Sequence, residues 1–306
     1  MKNSFTLYNN CGLCPRKCLI DRNINKGFCG ERSELRIDSA LLHFGEEPPI
    51  SFNNGSGTIF FNGCSLRCVF CQNMQISQGN IHNKKYSLDE FVKLMEELIA
   101  KGAENINFVT PDHFLPHIKE GVTILKKKGY NIPIVYNSSG YHTIEHLEQT
   151  LSLVDIYLFD YKYADKTAAK RYSNAIDYPE TAFNGLKFIY KNKGNLLLNK
   201  DGKAEKGILI RHLVLPGNID NSIAVLDNIF FELGPKTYLS LMSQYSPKYL
   251  KEDCPEINRP LYKEEYDKVL KHLNNLGFKN CFIQDLPENK DRYTPDFNEK
   301  KMFERW

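Results

Sequence analysis

From Thr58 onward the chain alternates short apolar runs with amphipathic stretches of helical period, about six times over. The runs are TIFF (58–61), INFVT (106–110), IPIVYN (132–137), DIYLFDY (155–161) and YLSLMSQY (238–245). A sixth lies in LLLNKDGKAEKGILIRHLVL (196–215), where Asp201-Gly202 supplies a hairpin turn into a long strand. CFIQD (281–285) reads as a last, edge strand. Between them lie helical stretches over about 87–100, 115–128, 143–153, 179–192, 222–233 and 262–276. Ser87 and Glu90 form a capping box, and Leu88, Phe91, Val92, Met95, Leu98 and Ile99 share one face. Such alternation predicts an α/β fold with a parallel sheet covered on both sides, either open or curved like a barrel. Functional side chains then belong at the C-terminal ends of the strands.

The cysteines lie mostly outside this rhythm. Seven of the nine fall within the first 71 residues, leaving Cys254 and Cys281 as isolated, packed thiols. The formal net charge is only +3, too small to imply nucleic-acid or anionic-membrane binding. No apolar run approaches the ~20 residues needed to span a bilayer. MKNSFTLYNN lacks the apolar stretch of a signal peptide, so a cytoplasmic protein is expected. In that reducing setting clustered cysteines point to metal or redox chemistry rather than to disulfides.

NGCSLRCVFCQN follows the first strand and places Cys64, Cys68 and Cys71 at C-x3-C-x2-C spacing. Three thiolates do not complete a tetrahedral structural zinc site. They can hold three irons of a [4Fe-4S] cluster and leave the fourth open, with Phe70 packed beside it to limit solvent. The plainer readings are a group of buried thiols, or a zinc site with a distant fourth ligand. Upstream, the first ~45 residues read as irregular, and EEPPISFNNGSG (46–57) reads as a loop. Cys11, Cys14, Cys18 and Cys29, in CGLCPRKC and GFCG, can close a structural zinc site or ligate a second [4Fe-4S] cluster. The nearby Gly and Pro residues suit a compact zinc knuckle. Arg16 and Arg22 read as surface arginines. His113 and His117 sit at i, i+4, but Pro116 interrupts the pattern and no third ligand is evident. Lys126 to Lys128 read as a solvated helix end.

CSLRCVFC resembles the CxxxCxΦC signature of the radical S-adenosylmethionine (SAM) superfamily. The resemblance implies a partial (β/α)6 TIM-like barrel over residues 51–290. A small Cys-rich module (1–50) would precede it and a C-terminal tail (291–306) follow. It also implies a [4Fe-4S] cluster whose open iron chelates the amino and carboxylate groups of SAM. One-electron reduction, by a donor such as flavodoxin or ferredoxin, then yields a 5′-deoxyadenosyl radical that abstracts hydrogen. CGLCPRKC, GSGTIFFNGCSLRCVFCQN, VTPDHF, DIYLFDYKY, IRHLVLPGN and SLMSQY are further similar to the pyruvate formate-lyase-activating-enzyme-like group, whose members carry an N-terminal CxLCPRxC segment.

That likeness implies cofactor contacts at Asn73, in CQN, and at Asp160 and Lys162, which match a DxK pair. Arg211 matches a fifth-strand arginine, while His212 points to the opposite face. VTPD stands where the superfamily often has a GGE-like strand end. No Gly-Gly-Glu occurs here, and Thr110 and Asp112 are the acceptors available. Ser138 and Ser139 end the third strand, and Gln244 and Tyr245 close the sixth as substrate contacts. The implied activity is hydrogen abstraction from a protein or peptide, with glycyl-radical-enzyme activation as its specific form. An iron–sulfur electron carrier without SAM cleavage is the alternative. A zinc-knuckle interaction module would account for the first four cysteines only.

Overall fold

The computed structural model describes residues 4–79, 84–250, 253–286, 293–299 and 302–303. In chain order the strands are β1 (Leu35–His43), β2 (Ser56–Phe61), β3 (Lys85–Tyr86), β4 (Ile106–Val109), β5 (Ile134–Ser138), β6 (Ile156–Asp160), β7 (Leu197–Leu198), β8 (Ala204–Leu213), β9 (Tyr238–Met242) and β10 (Asn280–Ile283). The helices are α1 (Pro48–Ser51), α2 (Met74–Ser77), α3 (Leu88–Ala100), α4 (Leu115–Lys127), α5 (Ile144–Thr150), α6 (Lys166–Ser173), α7 (Tyr178–Lys193), α8 (Ile219–Leu233) and α9 (Lys263–Leu276).

One sheet runs in the order β10-β9-β8-β6-β5-β4-β2-β1-β3. Neighbours are parallel from β2 to β10, while β1 pairs antiparallel with β2 and β3 with β1. The sheet does not close on itself, giving the expected partial barrel with β10 as a further parallel edge strand. All six residues of β2 are buried, as a strand covered on both faces requires. Helix α3 turns Phe91, Val92, Met95 and Leu98 inward and starts at the expected capping box. The rings of Phe61, Phe91, Phe108 and Phe114 meet beneath it at centroid separations of 5.9 to 6.2 Å.

Three stretches depart from the sequence reading. LRIDSALLH, expected to be irregular, is β1, so part of the anticipated N-terminal module contributes a strand to the main sheet. The EEPP loop contains the single turn α1, with proline in its first turn where no N–H is needed. Helix α6, absent from the sequence reading, is short and polar overall and buries only Ala168, Ala169, Tyr172 and Ser173. Asp165 caps it by accepting from the N–H groups of Thr167 and Ala168. The described part of the tail folds back on the sheet, with Phe297 against Phe60 at 5.4 Å and Phe303 against His43 at 4.4 Å.

Several histidines are buried among these layers. His117 Nδ1 meets the Tyr8 hydroxyl at 2.8 Å, and His113 Nε2 meets the Asn62 carbonyl at 2.6 Å. His212 bridges the Tyr161 carbonyl (2.8 Å) and the Ser222 hydroxyl (2.9 Å), on the face opposite Arg211, as strand alternation predicts. Burial pushes both His117 and His212 down to about 4. An unfolded histidine takes up a proton near pH 6.5, whereas these folded ones resist protonation until about 4. Their contribution to stability is therefore complete above pH ~6.5 and lost as pH falls through about 4. The urea midpoint should drop steadily across that window; a flat midpoint would contradict the burial argument.

Candidate active site

The three-cysteine loop leaves the C-terminal end of β2 through Asn62 and Gly63. Gly63 has φ +79°, and an added Cβ would lie 2.6 Å from the Cys29 carbonyl oxygen. That near contact lets the Cys64 N–H donate to Cys29 O at 3.2 Å, joining the two cysteine-bearing segments. Arg16 binds them further. It donates to the carbonyls of Ser65 (3.0 Å), Leu66 (3.3 Å), Ser173 (2.8 Å) and Asn174 (2.6 Å), and it stacks over Phe28. Arg22, expected at the surface, is fully buried and holds the carbonyls of His113, Arg32 and Glu31. Both arginines of the CPRKC region thus serve as backbone clamps.

Cys64, Cys68 and Cys71 share one wall of a cavity of about 500 Å³ at the strand C-terminal ends. Each sulfur receives a donor: Leu66 N–H for Cys64 (3.4 Å), Ser173 Oγ for Cys68 (3.0 Å) and Ser77 Oγ for Cys71 (3.3 Å). Phe70 lines the same wall, backed by the rings of Tyr163, Tyr172 and Tyr245 at 6.1 to 6.5 Å. Burial, with Cys71 nearby, raises the Cys64 thiol; burial and Cys68 raise Cys71. In the N-terminal segment burial pushes Cys14 up to about 12 and raises Cys29 as well. Such thiols stay protonated at neutral pH unless a metal displaces the proton. The Phe28 N–H donates to Cys18 Sγ at 3.3 Å, and an added Cβ at Gly27 would lie 3.3 Å from Cys29 Sγ and 3.8 Å from Cys18 Sγ.

Among the described residues, the group of His, Cys, Asp or Glu whose ligand atoms all lie within 4.8 Å of one another is Asp112, His142 and His146.

The same cavity brings together most of the residues expected from the sequence. Asn73, Thr110, Ser138, Ser139, Asp160, Lys162 and Arg211 all line the cavity. Thr110 ends β4 at φ 51°, a conformation costly for a β-branched residue and held by its N–H to Asn137 O at 2.8 Å. The Ser139 hydroxyl is buried without a hydrogen-bond partner. Asp160 and Lys162 form an ion pair. Burial opposes the Lys162 charge, but Asp160 and the Cys68 sulfur outweigh it and raise its pKa.

Asp112 and Tyr245 are placed otherwise, and Arg211 is engaged by two carboxylates. Asp112 does not line the cavity. It lies fully buried beneath it, 3.0 Å from His142 Nδ1 and 3.1 Å from the Tyr136 hydroxyl, because the chain turns inward after Thr110. Arg211 reaches the cavity, but its Nε donates to Glu47 at 2.9 Å and its Nη2 pairs with both Glu46 and Glu47. Tyr245 stands behind Phe70 and donates to the Ile257 carbonyl at 2.6 Å. Gln244 does line the cavity, with its Nε2 on Gln72 at 3.1 Å.

Sequence reasoning missed Glu46 and Glu47, which sit in the segment read as a plain loop. Glu46 also accepts from Asn107 Nδ2 at 2.8 Å, and Arg211 lowers its pKa despite the opposing burial. The one available signal was a pair of adjacent carboxylates before Pro48-Pro49, and nothing local ties it to an arginine 164 residues away.

A family model described as the radical SAM superfamily matches residues 58–224, more than half of the chain. The uncharacterized protein MJ0674 of Methanocaldococcus jannaschii is 33% identical over 273 residues, covering 86% of this chain and 74% of its own. The chain belongs to the radical SAM superfamily, whose members use a [4Fe-4S] cluster and SAM. Among solved structures, Streptococcus suis SuiB bound to the precursor peptide SuiA is 10% identical with a TM-score of 0.47, covering 72% of this chain and 46% of that one. Methylornithine synthase is 12% identical with a TM-score of 0.45, covering 74% of this chain and 69% of that one. No helix among the described residues is long and apolar enough to cross a membrane.

Three variants test this geometry. Arg211→Met leaves two buried carboxylates side by side and should cost ~3–5 kcal/mol in chemical denaturation. Adding Glu46→Gln and Glu47→Gln should recover much of that loss, and failure to recover would refute the charge argument. Gly63→Ala should lower the iron content of the purified protein by separating the two cysteine segments; unchanged iron would show that their contact is dispensable.

Proposed function

We propose that Cys64, Cys68 and Cys71 ligate a [4Fe-4S] cluster and that SAM binds beside it, against Asn73, Thr110, Ser138, Ser139, Asp160 and Lys162. The observation that carries this reading is the shared cavity, lined both by the three thiols and by strand-end polar groups. Its volume of about 500 Å³ suits a nucleoside-sized ligand. When bound and reduced, cluster and SAM supply a 5′-deoxyadenosyl radical competent for hydrogen abstraction. The chain's part is to bind, orient and shield. Lys162, kept cationic by Asp160, offers a donor to a carboxylate. The unpartnered Ser139 hydroxyl offers another polar contact. Phe70 and the tyrosines behind it keep water from the cluster side. Glu46 and Glu47 exceed the charge of Arg211 by one, so this part of the wall favours an ammonium or sulfonium.

The substrate we infer is a protein or peptide, with glycyl-radical-enzyme activation as the specific form and a flavodoxin or ferredoxin as reductant. CGLCPRKC and the Asp160–Lys162 pair support the pyruvate formate-lyase-activating-enzyme-like grouping. Cys11, Cys14, Cys18 and Cys29 form a further thiolate site, for a zinc knuckle or a second [4Fe-4S] cluster, which the iron and zinc count distinguishes. Residues up to Leu35 then form the Cys-rich module, with the sheet domain following.

The test is anaerobic purification, iron and zinc counting, reduction, addition of SAM and assay of 5′-deoxyadenosine. Product, together with its loss in Cys64→Ala, Cys68→Ala and Cys71→Ala, is expected. Asp160→Asn should weaken SAM binding about tenfold, or ~1.4 kcal/mol. Iron without cleavage or spectral response to SAM would favour the electron-carrier reading instead.

A further inference from the structure

We propose that Asp112, His142 and His146 form a site for a single divalent transition-metal ion, zinc foremost, with the Tyr136 hydroxyl at the fourth position. The site uses none of the seven clustered thiols, although Leu13 of the four-cysteine segment holds one of its histidines. The four side chains converge from different parts of the fold: the turn after β4, the loop after β5, helix α5 and strand β5. All are buried, at 2% exposure or less.

Three observations carry the inference. The first is a contact that is short yet poorly aligned. His142 Nδ1 lies 3.0 Å from Asp112 Oδ1, but it makes no hydrogen bond of acceptable geometry, and Nε2 of the same ring has no partner either. A ring nitrogen near a carboxylate oxygen, with its axis aimed elsewhere, is the arrangement of two ligands around one ion. The tetrahedral edge for ligands at about 2.0–2.1 Å is ~3.4 Å. The second is the unpartnered Asp112 Oδ2, a buried carboxylate oxygen that no donor satisfies. Its ion-pair contacts among the described residues are His142 and His146, at 3.0 and 3.8 Å.

The third is the orientation of His146. Its Nδ1 faces the Leu13 carbonyl at 2.8 Å, which fixes the proton there and leaves the Nε2 lone pair directed at the cluster. A histidine whose far nitrogen is held by a backbone carbonyl is oriented as metal ligands usually are. Nε2 now meets the Tyr136 hydroxyl at 2.8 Å, and that hydroxyl is also 3.1 Å from Asp112. An ion seated between them would replace the O–H donation. Release of the Tyr136 proton would leave a carboxylate and a phenolate against a +2 charge, so the enclosed site would be neutral. Two imidazoles with oxygen donors form a borderline set that suits zinc better than calcium or magnesium.

The experiment is metal analysis of the full-length protein, purified anaerobically from zinc-supplemented cells. Wild type should carry one equivalent of zinc that His142→Gln loses with iron unchanged, while Cys14→Ser retains it. Zinc content equal in wild type and His142→Gln, or absent from wild type, overturns the proposal. Should His142→Gln fail to fold, zinc K-edge absorption on wild type decides. A nitrogen/oxygen shell at about 2.0–2.1 Å supports the site, and a sulfur-only shell at about 2.3 Å overturns it.

Discussion

The hydrogen bond from Cys64 N–H to the Cys29 carbonyl is the contact around which the site is organised. It is short-range, neutral and individually modest, on the order of 1 kcal/mol. Its importance comes from position. It fixes the first residue of the three-cysteine loop against the last residue of the four-cysteine segment, and Gly63 makes the approach sterically possible. Arg16 then spreads the same junction over four further carbonyls. A cysteine loop with little apolar periodicity thereby gains a defined shape from partners remote in sequence.

The parallel sheet supplies the other half. Because its neighbouring strands all run the same way from β2 to β10, their C-terminal ends converge on one edge. Each strand contributes a different polar group to that edge without any change in the sheet itself. The charges placed there are compensated locally: Lys162 by Asp160, Arg211 by Glu46 and Glu47. Buried charges of this kind are tolerated only in such pairs. The cavity wall is thus polar without being strongly charged.

Much of this was legible from sequence because it is local. The 3.6-residue period of Phe91, Val92, Met95 and Leu98 reads directly as α3, and the alternation of Asp160 and Lys162 reads as one strand face. The spacing of Cys64, Cys68 and Cys71 reads as one loop, and the three thiols do line one cavity. What was missed depends on distant partners. Strand β1 is held by pairing along β2 rather than by its own pattern. Arg22 looks like a surface residue until the carbonyls that receive it are known. Asp112 follows Thr110 by two residues, and strand alternation would keep it near the same edge. The positive φ of Thr110 ends the alternation and sends the carboxylate inward, toward His142 and His146.

The reach of Arg16 also bears on how the protein is made. Its carbonyl partners at Ser173 and Asn174 lie 157 and 158 residues downstream. A ribosome releases the N-terminal cysteines long before it synthesises the end of α6. For that interval Arg16 lacks its two partners at the end of α6. The clamp closes fully only after half the chain has emerged, so the cysteine loops acquire their final relation to α6 late in synthesis.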